Sequence, residues 1–246
     1  MIRKLSLALL LTLPTMAVAI DLEGYYITAK GGVSKTSDTG LTNFTNHLGG
    51  SFTLESNDLG TGTTFGFSVG KYLTNNFRLE LEAIKRTNFD YNALIGPDFF
   101  ELGDKADIDS TSLSINGFYN FHTLTIGNNS ITPYLGGGIG ISRNKMGSIT
   151  EYIANGPGAG STSWLIDGNT ITELAYKLSG GALVNLSKNI ALSLSYQYAH
   201  LGEFESGTGN YNPSGVKFSN LVRPFNGGEI KTQELMSVSY THLTLP

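Results

Sequence analysis

Eight stretches of this chain alternate large apolar or aromatic residues with small or polar ones, and the gaps between them alternate long, short, long, short. Ile190-Ala191-Leu192-Ser193-Leu194-Ser195-Tyr196-Gln197-Tyr198 is the clearest case, with bulky even positions and small or polar odd ones. Successive side chains of a strand point to opposite faces, so such a segment has one oily face and one wet face. The pattern predicts strands over 23–34, 63–73, 76–87, 109–121, 131–143, 171–185, 190–201 and 229–240. The connections are then about 28, 2, 21, 9, 27, 4 and 27 residues long. Barrels that cross bacterial outer membranes begin and end in the periplasm, with short turns inside and long loops outside. A first strand rising to the exterior makes the first, third, fifth and seventh connections the long ones, as they are here. A soluble sandwich gives no reason for that parity. The expected fold is all-β: an eight-stranded antiparallel transmembrane β-barrel with four long extracellular loops and short periplasmic turns.

Face assignment is a second test. The predicted lipid face carries Ile27, Ala29, Val33, Phe65, Phe67, Val69, Phe77, Leu79, Leu81, Leu113, Ile115, Tyr119, Phe121, Leu135, Ile139 and Ile141. It continues through Leu174, Tyr176, Leu178, Val184, Ile190, Leu192 and Leu194. The opposite parity holds Thr28, Thr64, Ser68, Ser112, Ser114, Asn116, Ser193, Ser195 and Gln197, together with the charged Lys30, Arg78, Glu80, Glu82, Glu173 and Lys177. A charge facing lipid at mid-depth costs on the order of 2–4 kcal/mol, so this parity is the inward one. Lys71 and Lys85 fall on the outward parity, but near strand ends, where long side chains reach the interface. The six inward charges predict a lumen network. An eight-stranded barrel is wide enough only for its own side chains, and buried charges must be paired, so the network is read as a plug. A narrow solvated channel is the alternative.

The N-terminus has the build of an export signal. Arg3 and Lys4 precede the apolar run Leu5 to Leu13, and Ala17-Val18-Ala19 forms an A-x-A cleavage site. The expected division is a signal peptide over 1–19, an outer-membrane barrel domain over 20–237 and a non-native tail over 238–246. Loss of the leader leaves 14 basic against 20 acidic residues, which excludes a nucleic-acid partner needing a basic patch. The absence of cysteine excludes disulfides, thiolate metal sites and a cysteine nucleophile. No stretch after the leader is long and apolar enough for a membrane helix. The 31 glycines, 12 tyrosines and 13 phenylalanines, with only 15% charged residues, are unusual for a soluble enzyme.

Aromatic residues gather near the predicted strand ends. Tyr25, Tyr26, Tyr72, Phe77, Tyr119, Phe121 and Tyr134 lie near the periplasmic rim, and Phe65, Phe89, Tyr196 and Tyr198 near the outer one. Rings with one oily and one wet side favour membrane interfaces, so these are read as two girdles. In the third long connection, Gly156-Pro157-Gly158-Ala159-Gly160 predicts a mobile loop, and Trp164 is a candidate contact for a partner.

Several strings carry a family resemblance. Thr132-Pro133-Tyr134-Leu135-Gly136-Gly137-Gly138-Ile139-Gly140, Gly180-Gly181-Ala182, and Leu194-Ser195-Tyr196-Gln197-Tyr198 before a glycine, in this order behind an export signal, resemble the small outer-membrane β-barrels of the opacity-protein and porin-like surface-antigen family. The resemblance extends to about Met236 and implies an eight-stranded barrel with variable surface loops, without one shared activity. Such barrels usually end in an aromatic residue; this chain ends Leu245-Pro246. Val238-Ser239-Tyr240-Thr241-His242-Leu243-Thr244-Leu245-Pro246 resembles the in-frame translation of a transposon-library sequencing adapter.

Chemistry is sparse by comparison. His47, His122 and His200 have no metal-ligand spacing, and neither a metal nor a cofactor is expected. His200, Glu203, Glu205 and Ser206 are residue types that a lipid-modifying barrel enzyme uses, but they form no recognisable signature. The glycines of 136–140 lie within a strand and are not a phosphate cradle; they leave room for bulky lumen neighbours. Asp90, Asp98, Glu101, Asp104 and Asp107 read as a solvated acidic loop. The expected role is a non-enzymatic surface barrel with a side-chain-filled lumen, displaying loops for adhesion or antigen-type interaction and supporting the envelope. Expected partners are outer-membrane lipid and lipopolysaccharide, the barrel-assembly machinery, and a host or other extracellular ligand met through the loops. The expected location is the outer membrane of a Gram-negative bacterium.

Overall fold

The computed structural model describes residues 23–39, 43–45, 51–53, 59–95, 101–126, 129–187, 189–220 and 224–243. The predicted leader, His47, Asp98 and the last residues of the tail lie outside the described residues. Eight long strands form the frame: β1 (Tyr25–Thr36), β2 (Thr61–Tyr72), β3 (Phe77–Ile95), β4 (Glu101–Asn120), β5 (Asn129–Met146), β6 (Asn169–Asn185), β7 (Ile190–Glu205) and β8 (Asn226–His242). Each pairs antiparallel with the next, and β8 pairs with β1 in a register running from Tyr26↔His242 to Thr36↔Thr232. The ring is therefore closed, and the backbone of each frame strand has a partner on both sides over its barrel portion. Val238 and Tyr240 lie inward in this register and are buried.

Side-chain parity runs opposite to that of a soluble barrel. Ile139 and Leu174 are 70% and 72% exposed, and they belong to an outward belt with Phe67, Leu81, Leu113, Ile115, Leu178 and Leu194. Inside, Thr28, Ser68, Glu80, Glu82, Asn116, Lys177 and Gln197 are buried. A continuous apolar exterior around a polar interior is stable only with hydrocarbon outside. Among the described residues no helix is long and apolar enough to cross a membrane.

Short connections lie at one end. The chain turns tightly before β3 and before β7, with the Leu73 and Leu186 amides donating to the carbonyls of Phe77 and Ile190 at 2.9 Å. The opposite end departs from expectation. The second long connection, predicted as a 21-residue loop, is mostly strand: β3 runs on to Ile95 and β4 begins at Glu101. The cause is a bulge between Arg86 and Phe89 with Asn88 in the left-handed region at φ 65°. One extra residue reverses the parity of everything beyond it. Phe89, Tyr91 and Ala93 turn inward as a result, and a pattern followed at constant parity stops at residue 87.

The third and fourth connections are also built structures. Strand 149–155 pairs with the first residues of β4, Glu101 to Lys105, 162–166 pairs with 149–155, 209–211 pairs with 162–166, and 217–220 pairs with 209–211. The glycine run makes the hairpin between the first two, with positive φ at Gly156, Gly158 and Gly160. An antiparallel sheet thus continues from β3 and β4 above the barrel.

Two lumen glycines are steric necessities. A Cβ on Gly138 would lie 1.9 Å from Asn116 Oδ1, and one on Gly136 would lie 2.2 Å from the Phe118 ring. Gly138→Val is expected to lower stability by about 1–3 kcal/mol, the usual range for overpacking a filled interior. Urea unfolding in lipid vesicles measures this, and a midpoint equal to wild type would refute the steric argument.

Candidate functional site in the lumen and the outer sheet

Alternation brings five of the six sequence-selected charges together inside the ring. Lys30 Nζ lies 2.8 Å from Glu80 Oε2 and 2.5 Å from Glu82 Oε2. Arg78 Nη1 lies 2.5 Å from Glu80 Oε1, and Lys177 pairs with Glu82. Ser68 and Tyr26 donate hydroxyl hydrogen bonds to Glu80, each at 2.9 Å. Glu173 shares the inward parity but sits higher, half-buried against Gly202, and makes no ion pair among the described residues.

A second ionic layer lies above the first and was not anticipated. Arg86 pairs with Glu234, and Gln197, Ser34 and Thr232 donate to the same carboxylate at 2.8, 3.1 and 2.8 Å. Arg86 also donates to Ser112 Oγ at 2.9 Å. The signal for Arg86 was present: it stands at the parity of Arg78, Glu80 and Glu82, four residues beyond the last of them. Glu234 sits at the inward parity of the last strand, but no local signal ties it to Arg86, 148 residues away.

Across both layers four bases face three acids among the described residues. Aromatic faces offset the imbalance at Arg78, whose guanidinium carbon is 4.2 Å from the Phe118 ring centroid, 4.8 Å from Tyr134 and 5.3 Å from Tyr240. Such faces attract a cation electrostatically, most strongly away from water. This arrangement corrects the girdle assignment. Tyr26 and Tyr134 are buried in the lumen, and Tyr72 is half-buried with its ring 5.3 Å from Tyr26. Nearness to a strand end had grouped them, but adjacent residues such as Tyr25 and Tyr26 cannot share a face. Phe77, Tyr119 and Phe121 are exposed on the outward side, and Tyr25 is half-buried beneath Lys71, whose Nζ is 4.4 Å from its centroid. Phe89, placed near the outer rim from sequence, is fully buried because the bulge turns it inward.

Above the ionic layers an apolar cluster fills the mouth. Phe89, Tyr91, Ile108, Met146, Ile149, Ile166, Leu201, Phe204, Phe225 and Ile230 belong to it. Tyr91 meets Phe204 and Phe225 edge-on, at 6.1 and 5.7 Å. Asn144 fastens β5 beneath this cap by donating to the Leu201 and Glu203 carbonyls, each at 2.7 Å.

The acidic connection does not form one solvated patch. Asp104 is buried within the outer sheet, while Asp90 and Asp107 are exposed cross-strand partners. Burial, with the nearby Glu151 charge second, pushes the Asp104 carboxyl up to about 7. No group of three potential ligands gathers for a metal among the described residues. Trp164 is half-buried opposite Glu151 in the 162–166 strand, part of the sheet and not a free tip. His200 faces outward, stacked on Tyr176 at 4.8 Å with its Nε2 3.4 Å from Glu229. Ser206 is buried and donates to the Gly207 carbonyl at 2.7 Å, so the serine and histidine do not converge.

A family model described as an outer membrane protein beta-barrel domain matches residues 5–223. No curated protein matches the chain significantly. Among solved structures, Neisserial surface protein A is 17% identical with a TM-score of 0.51, covering 89% of this chain and 97% of its own. Ail, the attachment invasion locus protein of Yersinia pestis, is 11% identical with a TM-score of 0.42, covering 89% and 99%. OprG of Pseudomonas aeruginosa is 13% identical with a TM-score of 0.43, covering 89% and 97%. At 17% identity the likeness to Neisserial surface protein A concerns the fold alone.

Proposed function

The chain belongs to the outer membrane protein β-barrel domain family of Gram-negative bacteria, and from that premise we propose that it is a sealed surface barrel, displaying an extracellular sheet and loops for adhesion or antigen-type interaction and contributing to envelope integrity. The observation that carries this reading is the stacking of two paired ionic layers under an apolar cap. An ion crossing the lumen would have to break the Lys30, Glu80, Glu82 and Lys177 pairs, then Arg86–Glu234, and then pass between Phe89, Tyr91, Phe204 and Phe225. The first two steps each remove a charge partner in a low-dielectric interior, and the third strips the ion of water among apolar side chains.

Reconstituted into planar bilayers, the protein is expected to give no steady conductance above the lipid baseline. A large, stable conductance would overturn the sealed-barrel reading in favour of a channel. We also propose that it performs no catalysis, supported by the separation of His200 from Ser206. A change in lipid A mass spectra on overexpression would refute this. The proposed divisions are a cleaved 1–19 leader, a barrel domain over 20–237 and a non-native stretch over 238–246. N-terminal sequencing of the mature chain and genomic resequencing test the two ends. Lipid, lipopolysaccharide, the assembly machinery and an extracellular ligand remain the proposed partners, and Trp164 a proposed contact for the last.

A further inference from the structure

The outward face of β4, β5 and β6 changes character abruptly from one row to the next. Leu113, Ile141 and Leu174 form an exposed apolar row in register. The outward row above it is Thr111–Arg143–Thr172, with Lys85 paired beside Thr111, and the next is Asp109–Lys145–Thr170. Side chains two apart on a strand are about 7 Å apart, so this switch occupies the thickness of a lipid headgroup.

Directly above these rows lies a cavity of about 590 Å³, lined in part by Lys145, Ser148, Asp167, Thr170, Thr208 and Lys217. Glycine shapes its floor: a Cβ on Gly209 would lie 2.1 Å from Asp167 Oδ2, and one on Gly207 2.7 Å from Asp167 Cβ. The acid and the bases of this recess stand differently. Asp167 already accepts a hydrogen bond from the Tyr211 hydroxyl at 3.0 Å. Arg143, Lys145 and Lys217 are exposed and have no ion-pair partner among the described residues. Asp109 stands opposite Lys145 in register but forms no ion pair with it. Three cations without an ion-pair partner among the described residues, threonine and serine hydroxyls and a roomy polar recess suit an oxyanion carried on a sugar. The lipid-facing row below suits acyl chains attached to that sugar.

We propose that this recess binds a phosphorylated saccharide, with Lys145 and Lys217 on the phosphate inside and Arg143 on a second one at the membrane surface. The site rests on the reading that the loop end faces outward, where the outer leaflet presents phosphorylated glycolipid. The same chemistry is offered by a soluble sugar phosphate, and the two sources are separable.

The test uses the full chain refolded in detergent micelles, titrated calorimetrically with lipid A in mixed micelles and, separately, with the deacylated glucosamine disaccharide bisphosphate. A heat-dependent shift in gel migration establishes folding of each variant first, so a failed fold is distinguished from a failed site. Lys145→Gln/Lys217→Gln is expected to weaken lipid A binding roughly tenfold and to flatten its salt dependence. The Lys35→Gln/Lys71→Gln control removes the same charge from the barrel exterior, one lysine near each end, and is expected to bind as wild type. Binding of lipid A alone, weakened further by Arg143→Gln, supports the glycolipid source; equal binding of the soluble disaccharide supports the phosphate site but overturns the glycolipid source. Equal losses in the two double variants, or no loss in the first, overturn the site.

Discussion

Glu234→Gln is expected to lower unfolding stability by about 3–5 kcal/mol, the range for removing one partner of a buried ion pair. The substitution keeps the shape of the side chain but leaves the Arg86 charge, which is 1% exposed, without its counter-charge. It also weakens three further hydrogen bonds, because Gln197, Ser34 and Thr232 all donate to the same carboxylate. Replacing both partners, as Arg86→Met/Glu234→Leu, is expected to recover much of the loss, since an apolar pair carries no uncompensated charge. Urea-induced unfolding in lipid vesicles, read by gel migration and tryptophan fluorescence, measures both. A loss below about 0.5 kcal/mol for Glu234→Gln, typical of a solvent-exposed pair, would mean that water reaches this layer.

The second large effect concerns pH. The Asp104 carboxyl is buried beside Tyr91 and Glu151, and its Oδ1 has no hydrogen-bond partner among the described residues. Its folded pKa, pushed up to about 7, stands above the unfolded value, so the folded state binds the proton more tightly. The resulting stability is fully present below about pH 4 and is lost as pH rises to about 7. The rise corresponds to about 4 kcal/mol over that window. Hydrogen-exchange protection factors of the 101–105 and 149–155 amides, which correct each rate for its intrinsic base catalysis, are therefore expected to be higher at pH 5 than at pH 8. Asp104→Asn is expected to remove that difference and to raise protection at pH 8. Equal pH dependence in wild type and variant would show that another group governs the opening of the sheet.

Much of the barrel was legible in the sequence because a strand writes its two faces into alternate residues. Leu113, Ile115, Ile139 and Ile141 declare a face by parity alone, and Glu80, Glu82 and Lys177 declare the opposite one. The same rule, applied strictly, would have turned Tyr26 and Tyr134 inward; nearness to the rim was the weaker guide. It would also have carried the charged series on to Arg86. The reading failed at Asn88, where one residue in the left-handed region moves Phe89, Tyr91 and Ala93 to the other face. A two-residue period cannot be followed across a bulge, so the apolar cap was read as loop.

Which side chains meet lipid and which turn into the lumen is written residue by residue along an extended backbone, so alternation alone carries it. The choice of pairing partners follows from ring closure and register instead. Arg86 finds Glu234 because β1 and β8 close the ring, and Asp104 becomes buried because the 149–155, 162–166 and 209–211 strands assemble on β4. Lys145 and Lys217 share a recess because glycines at 207 and 209 let the fourth connection close on Asp167. These meetings depend on register and closure between distant segments, which no local alternation of residues encodes.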